Sequence, residues 1–195
     1  MADIKPSDFS LRPASLADAP FVALVMMEAI GAQLMEEGIM PEEHIVNICR
    51  RTDTLYSYKN AVIAELDGKP IGCVIAYNGK GYHDVKTHTF SLIRDKLSFN
   101  PNTMDDETRE GEYYLDSIAI LPAYRNKGYG RQIIAYAVKC AQEQSLLPVL
   151  ACSPENEKAY QLYRSLGFEE DGRLFIFGED YLRMTCKGLA PNQGS

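Results

Sequence analysis

One stretch of the chain leaves few architectures open. Tyr113 to Leu121 is an apolar run of strand length, stopped by Pro122. Two glycines two apart, Gly128 and Gly130, follow it. A helix-period stretch then runs from Gly128 to Gln144, with Ile133, Ile134, Ala137, Val138 and Ala141 as its apolar stripe. Pro148 to Cys152 is a short strand. Ser153-Pro154 opens another helix, Ser153 as N-cap and Pro154 at the first position, and Gly167 stops it. Strands alternating with helices in this order predict a partly parallel sheet covered by helices.

The first half is read from the same signals. Phe9 to Arg12 is a strand. Ser15 caps a helix that carries Phe21, Leu24 and Val25, and a second helix runs from after Pro41 through His44, Ile45 and Ile48 to about Arg51. Ala61–Leu66 and Ile71–Tyr77 form a hairpin around Asp67-Gly68. Residues 78–111 are polar and irregular, with a short helix near Phe90–Leu97, and read as an insertion between core strands. Leu174–Phe177 and Tyr181–Cys186 form a last hairpin around Gly178-Glu179-Asp180. The order is β-α-α-β-β, insertion, β-α-β-α-β-β, in a single domain over 1–187 with a frayed tail at 188–195.

Composition excludes more than it selects. With 46% hydrophobic residues in 195, the chain can bury a core. A net charge of −7 argues against nucleic acid, which demands a basic face. The five cysteines show no metal-ligand spacing, so buried reduced thiols and no metal are expected. The opening MADIKPSDFS lacks the basic start and apolar run of a signal peptide, and no apolar run approaches the roughly 18 residues of a membrane span. A cytoplasmic protein away from membranes is expected. Homodimerisation is left open.

The chemistry concentrates at Arg125-Asn126-Lys127-Gly128-Tyr129-Gly130. Paired glycines let the backbone approach a ligand closely, and the helix that follows offers free N–H groups and the positive end of its dipole. Arg125, Lys127 and Arg131 add three cations in an otherwise acidic chain. A pyrophosphate fits such a site. A Gly-rich turn with solvated basic residues has the same sequence, and neither GxxxxGK[ST] nor the full GxGxxG pattern is present.

Two blocks decide between these readings. The run from Leu115 to Gly130, LDSIAILPAYRNKGYG, resembles the strand and R-x-x-G-x-G acetyl-CoA loop of the GNAT acetyltransferase superfamily. The run from Asn156 to Phe168, NEKAYQLYRSLGF, resembles that superfamily's N-x-x-A-x-x-L-Y-x-x-x-G-F segment. The resemblance implies an α/β, GNAT-type fold: a mixed, partly parallel β-sheet, splayed at its centre and flanked by helices. It implies acetyl-CoA as co-substrate. Backbone groups of Ile118, Ala119 and Ile120 would face the pantetheine and the thioester carbonyl. The N–H groups of Asn126, Lys127, Gly128, Tyr129, Gly130 and Arg131 would hold the pyrophosphate. Asn156 would bond the pantetheine arm, and Tyr163 would sit beside the sulfur as proton donor.

A base for the amine is the remaining requirement. Asp116 lies in the middle of an apolar strand, where an unpaired carboxylate is costly. Glu112 shares its strand parity. Either could draw off the amine proton; Asp116 could equally pair with an arginine or cap a loop. His44, His83 and His88 read as surface or loop residues. The acidic run Asp105-Asp106-Glu107, with Glu110 and Glu112, reads as a loop that edges the acceptor site and favours a cationic amine. These readings predict an N-acetyltransferase acting on a primary amine by direct attack. The alternative is a non-catalytic acyl-CoA-binding regulatory module. A nucleotide-phosphate binder is a third option.

Overall fold

The computed structural model describes residues 8–29, 34–93 and 100–188. Most of the expected tail, from residue 189 on, and the end of the helix expected at Phe90–Leu97 lie outside the described residues.

Seven strands form one mixed sheet flanked by helices. The strands are β1 (Phe9–Pro13), β2 (Ala61–Leu66), β3 (Lys69–Asn78), β4 (Glu112–Ile120), β5 (Leu147–Cys152), β6 (Phe168–Ile176) and β7 (Glu179–Cys186). The helices are α1 (Ala19–Ala29), α2 (Leu34–Glu37), α3 (Glu43–Arg50), α4 (Tyr82–Ser91), α5 (Tyr129–Glu143) and α6 (Glu157–Ser165). The strand order is β1-β2-β3-β4-β5-β7-β6. β4 and β5 run parallel, as the crossover through α5 requires, and the registered pairs β1–β2, β2–β3, β5–β7 and β6–β7 are antiparallel. The β4–β5 ladder runs from Glu112↔Leu147 to Leu115↔Leu150, while β4 continues to Ile120.

The chain divides into two compact units. One comprises residues 1–52, 56–75 and 117–133; the other comprises 53–55, 76–116 and 134–195. In the first, α1 packs against α3, and Val22, Ala23, Val25, Cys49, Ile63, Ile71 and Cys73 are buried. Asp67 (φ 52°) and Gly68 (φ 75°) take the two left-handed positions of the tight β2–β3 turn. In the second, Tyr114, Leu115, Val149, Leu150, Phe168 and Met184 are buried. Each such side chain contributes roughly 1.5–3 kcal/mol relative to exposure. The expected stripe of α5 is buried throughout.

Several boundaries differ from expectation. Helix α6 starts at Glu157 with Asn156 as N-cap, whose side chain accepts from the Ala159 N–H at 3.1 Å. Ser153-Pro154 instead forms a turn, in which the Asn156 N–H donates to the Ser153 carbonyl at 3.0 Å. Ser15 caps only a 3-10 turn, Leu16–Asp18, before α1. The helix of the 78–111 segment lies at Tyr82–Ser91, earlier than expected. β6 begins already at Phe168, and the final hairpin turns at Phe177-Gly178, both at positive φ.

Candidate active site

The first unit contributes a loop of backbone donors. β4 ends at Ile120, the Leu121 N–H donates to the Ile71 carbonyl at 2.8 Å, and Pro122–Tyr124 makes a 3-10 turn. Arg125 is extended, and Asn126 (φ 61°) and Gly128 (φ 84°) then take positive φ before α5 begins at Tyr129. Among the described residues, the N–H groups of Asn126, Lys127, Gly128, Tyr129 and Gly130 have no hydrogen-bond acceptor. Consecutive donors of this kind at the positive end of a 15-residue helix are the groups an anion would need. Gly72 explains how β3 and β4 fit together behind it. A Cβ there would stand 2.3 Å from Ile120 Cδ1 and 3.0 Å from the Ala119 carbonyl.

The loop's cations hold the loop itself. Arg125 Nε donates to the Ile120 carbonyl at 2.9 Å, and its guanidinium lies 3.4 Å from Glu28. Lys127 Nζ donates to the Ala123 carbonyl at 3.0 Å and sits over the Tyr124 ring. Tyr129 stacks on Phe9, ring centres 5.0 Å apart. Arg131 is exposed in the first turn of α5. Ile118, Ala119 and Ile120 are half-buried on the last residues of β4.

The second unit contributes side chains. Tyr77 Oη donates to Asp116 Oδ2 at 2.5 Å. Glu112, buried, is committed elsewhere. Its carboxylate accepts from Thr108 Oγ1 (3.1 Å), the Arg109 N–H (3.2 Å), Arg109 Nε (2.9 Å) and Arg183 (2.6 Å). Sharing strand parity with Asp116 did not give it the same role: Glu112 ties the 108–112 turn to β7.

Asn156 and Tyr163 lie on α6. Asn156 spends its carbonyl oxygen on the cap, and its amide nitrogen has no partner among the described residues. Tyr163 is half-buried, its ring edge-on to Phe168 at 6.0 Å, and its hydroxyl has no hydrogen-bond partner among the described residues. Burial, with Cys152 nearby, pushes its hydroxyl up, so it stays protonated at neutral pH.

Within the acidic run Asp105, Asp106 and Glu110 are exposed and Glu107 is buried. Asp106 forms an ion pair with buried Lys86 at 2.5 Å and meets His83 at 3.0 Å. Burial works against the Asp106 charge, but Lys86 and His83 outweigh it and hold its carboxyl low. Asp105 accepts from the Phe175 N–H at 2.7 Å and thereby covers the end of the β6 edge. Glu107 is buried, and both its oxygens take tyrosine hydroxyls, Tyr82 at 2.7 Å and Tyr114. Burial, then the nearby Asp116, pushes its carboxyl up to about 7. Tyr77, Tyr82 and Tyr114 are not singled out from the sequence, while Glu107 is expected only as part of the acidic run. Glu107 also lines a cavity of about 300 Å³ with Arg109, Glu112, Leu174 and Arg183. A second cleft, of about 530 Å³, lies between α4 and the 101–106 turn and is lined by His83, Lys86, Phe90, Met104 and Asp106. Of the other histidines, His44 meets Glu42 and His88 meets Asp53. Among the described residues no cluster of three or more metal-binding side chains occurs, and no helix is long and apolar enough to cross a membrane.

The family model described as Acetyltransferase (GNAT) family matches residues 32–168. The chain belongs to the GNAT acetyltransferase family. Over 65 residues it is 29% identical to the aminoglycoside N(6')-acetyltransferase type 1 of Salmonella typhimurium, which is 33% of this chain and 45% of that enzyme. The chain spans less than half the length of the curated relatives it matches. Among solved structures, an N-acetyltransferase from Staphylococcus aureus Mu50 superposes with a TM-score of 0.72 at 21% identity, covering 90% of this chain and 99% of that one. The PaiA N-acetyltransferase of Thermoplasma acidophilum, solved with coenzyme A, superposes with a TM-score of 0.54 at 16% identity, covering 93% and 99%. These structural likenesses are likenesses of fold.

Proposed function

We propose that this GNAT protein is an acetyl-CoA-dependent N-acetyltransferase of the cytoplasm that acts on a primary amine. The observation that carries the cofactor reading is the run of unsatisfied N–H groups at 126–130, which suits the pyrophosphate of CoA. Asn156 offers its amide nitrogen to the pantetheine arm, and Ile118–Ile120 offer strand backbone to the arm and the carbonyl oxygen.

In this reading the acceptor nitrogen attacks the thioester carbonyl; the C–N bond forms and the C–S bond breaks. Asp116 takes the amine proton, and Tyr163 hands its own to the leaving thiolate. Asp116 is favoured over Glu112 as base because Glu112 already accepts four hydrogen bonds, two of them from guanidinium groups. The acceptor is recognised from the 78–111 segment. A cationic amine fits the chain's net charge of −7 and the carboxylates that line both cavities.

The test is calorimetry with acetyl-CoA combined with a thiol-release assay over polyamines, aminoglycosides, lysine peptides and peptide N-termini. Acetyl-CoA binding with amine-dependent thiol release supports the reading. Binding without release on any amine overturns it in favour of a non-catalytic acyl-CoA module. ATP affinity that CoA does not compete away overturns the cofactor.

A further inference from the structure

Five side chains from four segments of the second unit meet around one hidden charge. Tyr77 comes from β3, Tyr82 from α4, Glu107 from the turn before β4, and Tyr114 and Asp116 from β4. The Tyr77 ring stacks on Tyr82, centres 6.2 Å apart and planes at 15°, and leans on Tyr114 at 6.0 Å. Those two neighbours point their hydroxyls at Glu107, one to each carboxylate oxygen. Tyr77 alone of the three points its hydroxyl at Asp116.

We propose that Glu107 is a positioning residue for Asp116: by gripping the hydroxyls of Tyr82 and Tyr114 it fixes the two rings that cradle Tyr77, and so fixes the hydroxyl that bonds Asp116. This rests on the reading of Asp116 as the base. The Tyr77 phenol stabilises the aspartate as an anion. Glu107, its carboxyl pushed up to about 7, is protonated where an ordinary aspartate titrates and acts on Asp116 through the two rings it holds. Burial pushes the Tyr77 and Tyr114 phenols far up, so both remain donors across the working range. The charged and titratable groups facing Glu107 are Tyr82 and Lys86 from α4, Tyr77 from β3, Tyr114 and Asp116 from β4, and Tyr181 from β7. Arg109 and Arg183 line the same cavity as Glu107, and Lys86 is the cation contributed by α4. It is already paired with Asp106 and donates to the carbonyls of Met104 and Asp105 at 3.2 Å each. The Arg183 charge at the shared cavity is taken by Glu112 and Asp171.

A purely structural Glu107 would alter stability and rate without a preferred direction in pH. A positioning Glu107 makes a signed prediction. In Glu107→Gln one carboxylate oxygen becomes an amide nitrogen that cannot accept a phenol, so the hold on one ring loosens, the Tyr77 bond weakens and the Asp116 carboxyl should titrate at higher pH. In Tyr77→Phe the donor is gone while the Glu107 grip on Tyr82 and Tyr114 remains, so Asp116 should titrate at higher pH. Carboxyl-carbon NMR on full-length protein reads Asp116 directly in the native chain and both variants. Upward shifts in both variants, at least about half a pH unit in Tyr77→Phe and smaller in Glu107→Gln, support the proposal. A downward shift, or none in variants with a native circular-dichroism spectrum, overturns it. Should Glu107→Gln fail to fold, the absence of an upward shift in Tyr77→Phe still overturns it. The acidic limb of kcat/KM against pH should move with the NMR values. If Asp116→Asn keeps native activity, the base assignment falls, and the NMR shifts judge the coupling independently.

Discussion

The loop at 125–131 and the tyrosine–carboxylate cluster around Asp116 treat charge in opposite ways. The loop spends its side-chain cations on its own frame, Arg125 on the Ile120 carbonyl and Glu28, Lys127 on the Ala123 carbonyl, and leaves its backbone amides unsatisfied. The cluster buries formal charges and partners each of them: Glu107 with two phenols, Asp116 with Tyr77, Lys86 with Asp106. The first is built to receive a charge from outside, since unsatisfied donors gain most from a ligand. The second is built to hold a proton balance of its own, since a buried group is the one whose proton affinity its neighbours can move. Substrate binding and proton transfer should therefore separate under mutation.

The strongest separation is expected at Asp116. Asp116→Asn keeps the acceptor for Tyr77 and removes the charge. It should lower turnover by roughly 10²–10⁴-fold with acetyl-CoA affinity unchanged. Steady-state kinetics beside calorimetry reads both. A variant that loses affinity and keeps turnover would reverse the division of labour.

The converse change is Gly128→Val. No atom lies within 4 Å of where a Cβ would stand, so the effect is not a clash. It is the backbone: a β-branched residue resists φ of 84°, and the loop must re-form with its amides turned elsewhere. Acetyl-CoA affinity should fall on the order of 100-fold, about 2.7 kcal/mol, with the melting temperature little changed. Arg125→Ala should cost less, since its guanidinium serves the loop's frame. An unaltered dissociation constant for Gly128→Val would take the loop out of the binding site.

The cluster has a pH signature in stability as well. Glu107 has a folded-state value raised from 4.5 to about 7. A carboxyl raised on folding contributes stability that is full below the unfolded value and lost as pH rises through the folded one. Between about pH 4.5 and 7 the native chain should lose up to about 3 kcal/mol from this group, and Glu107→Gln should lose none of it. Urea melts at pH 5 and pH 8 should therefore show the variant gaining on the native chain at the higher pH. Parallel curves would mean that Glu107 is not the proton reservoir of the cluster.

The same contrast explains what the sequence reveals. The loop is contiguous: a strand, two glycines and an amphipathic helix within about thirty residues, all set by local rules. The α5 stripe and the Asp67-Gly68 turn are legible for the same reason. The cluster joins residues 77, 82, 107, 114 and 116, and only the tertiary fold decides that Glu107 points inward while Glu110 of the same run stays exposed. Glu112 shows the limit of strand parity, which gives a face and not a partner. At α6 two N-cap signals lie three residues apart. Ser153-Pro154 is the commoner one, yet Asn156 wins, because its side chain reaches the Ala159 N–H while Ser153 closes a turn. In α4 the sequence YHDVKTHTFS has no clear apolar stripe, and its helix follows from burying Tyr82, Lys86 and Phe90 in the cluster's wall.

Tyr163 stands between the two regimes and should give the smallest effect. Its ring packs edge-on against Phe168, and Phe at this position keeps that contact. Its hydroxyl has no partner among the described residues, so removing it breaks no hydrogen bond of the fold, and Tyr163→Phe should stay within about 0.5 kcal/mol of native stability. The kinetic argument runs through the leaving group. A thiol has a pKa near roughly 8.5, so CoA can depart as a thiolate without help, and a proton donor only assists. Turnover should therefore fall by about tenfold, below the ~10²–10⁴ of a positioned acid acting on a poor leaving group. Acetyl-CoA affinity should hold, because a hydroxyl that acts on the departing sulfur is used in the transition state and not in the ground state. The loss should shrink further with acyl donors whose thiols are more acidic. A Tyr163→Phe variant that turns over at the native rate, with chemistry shown to be rate-limiting, would leave Tyr163 as a packing residue. One that binds acetyl-CoA more weakly at unchanged turnover would move it to the receiving side of the division.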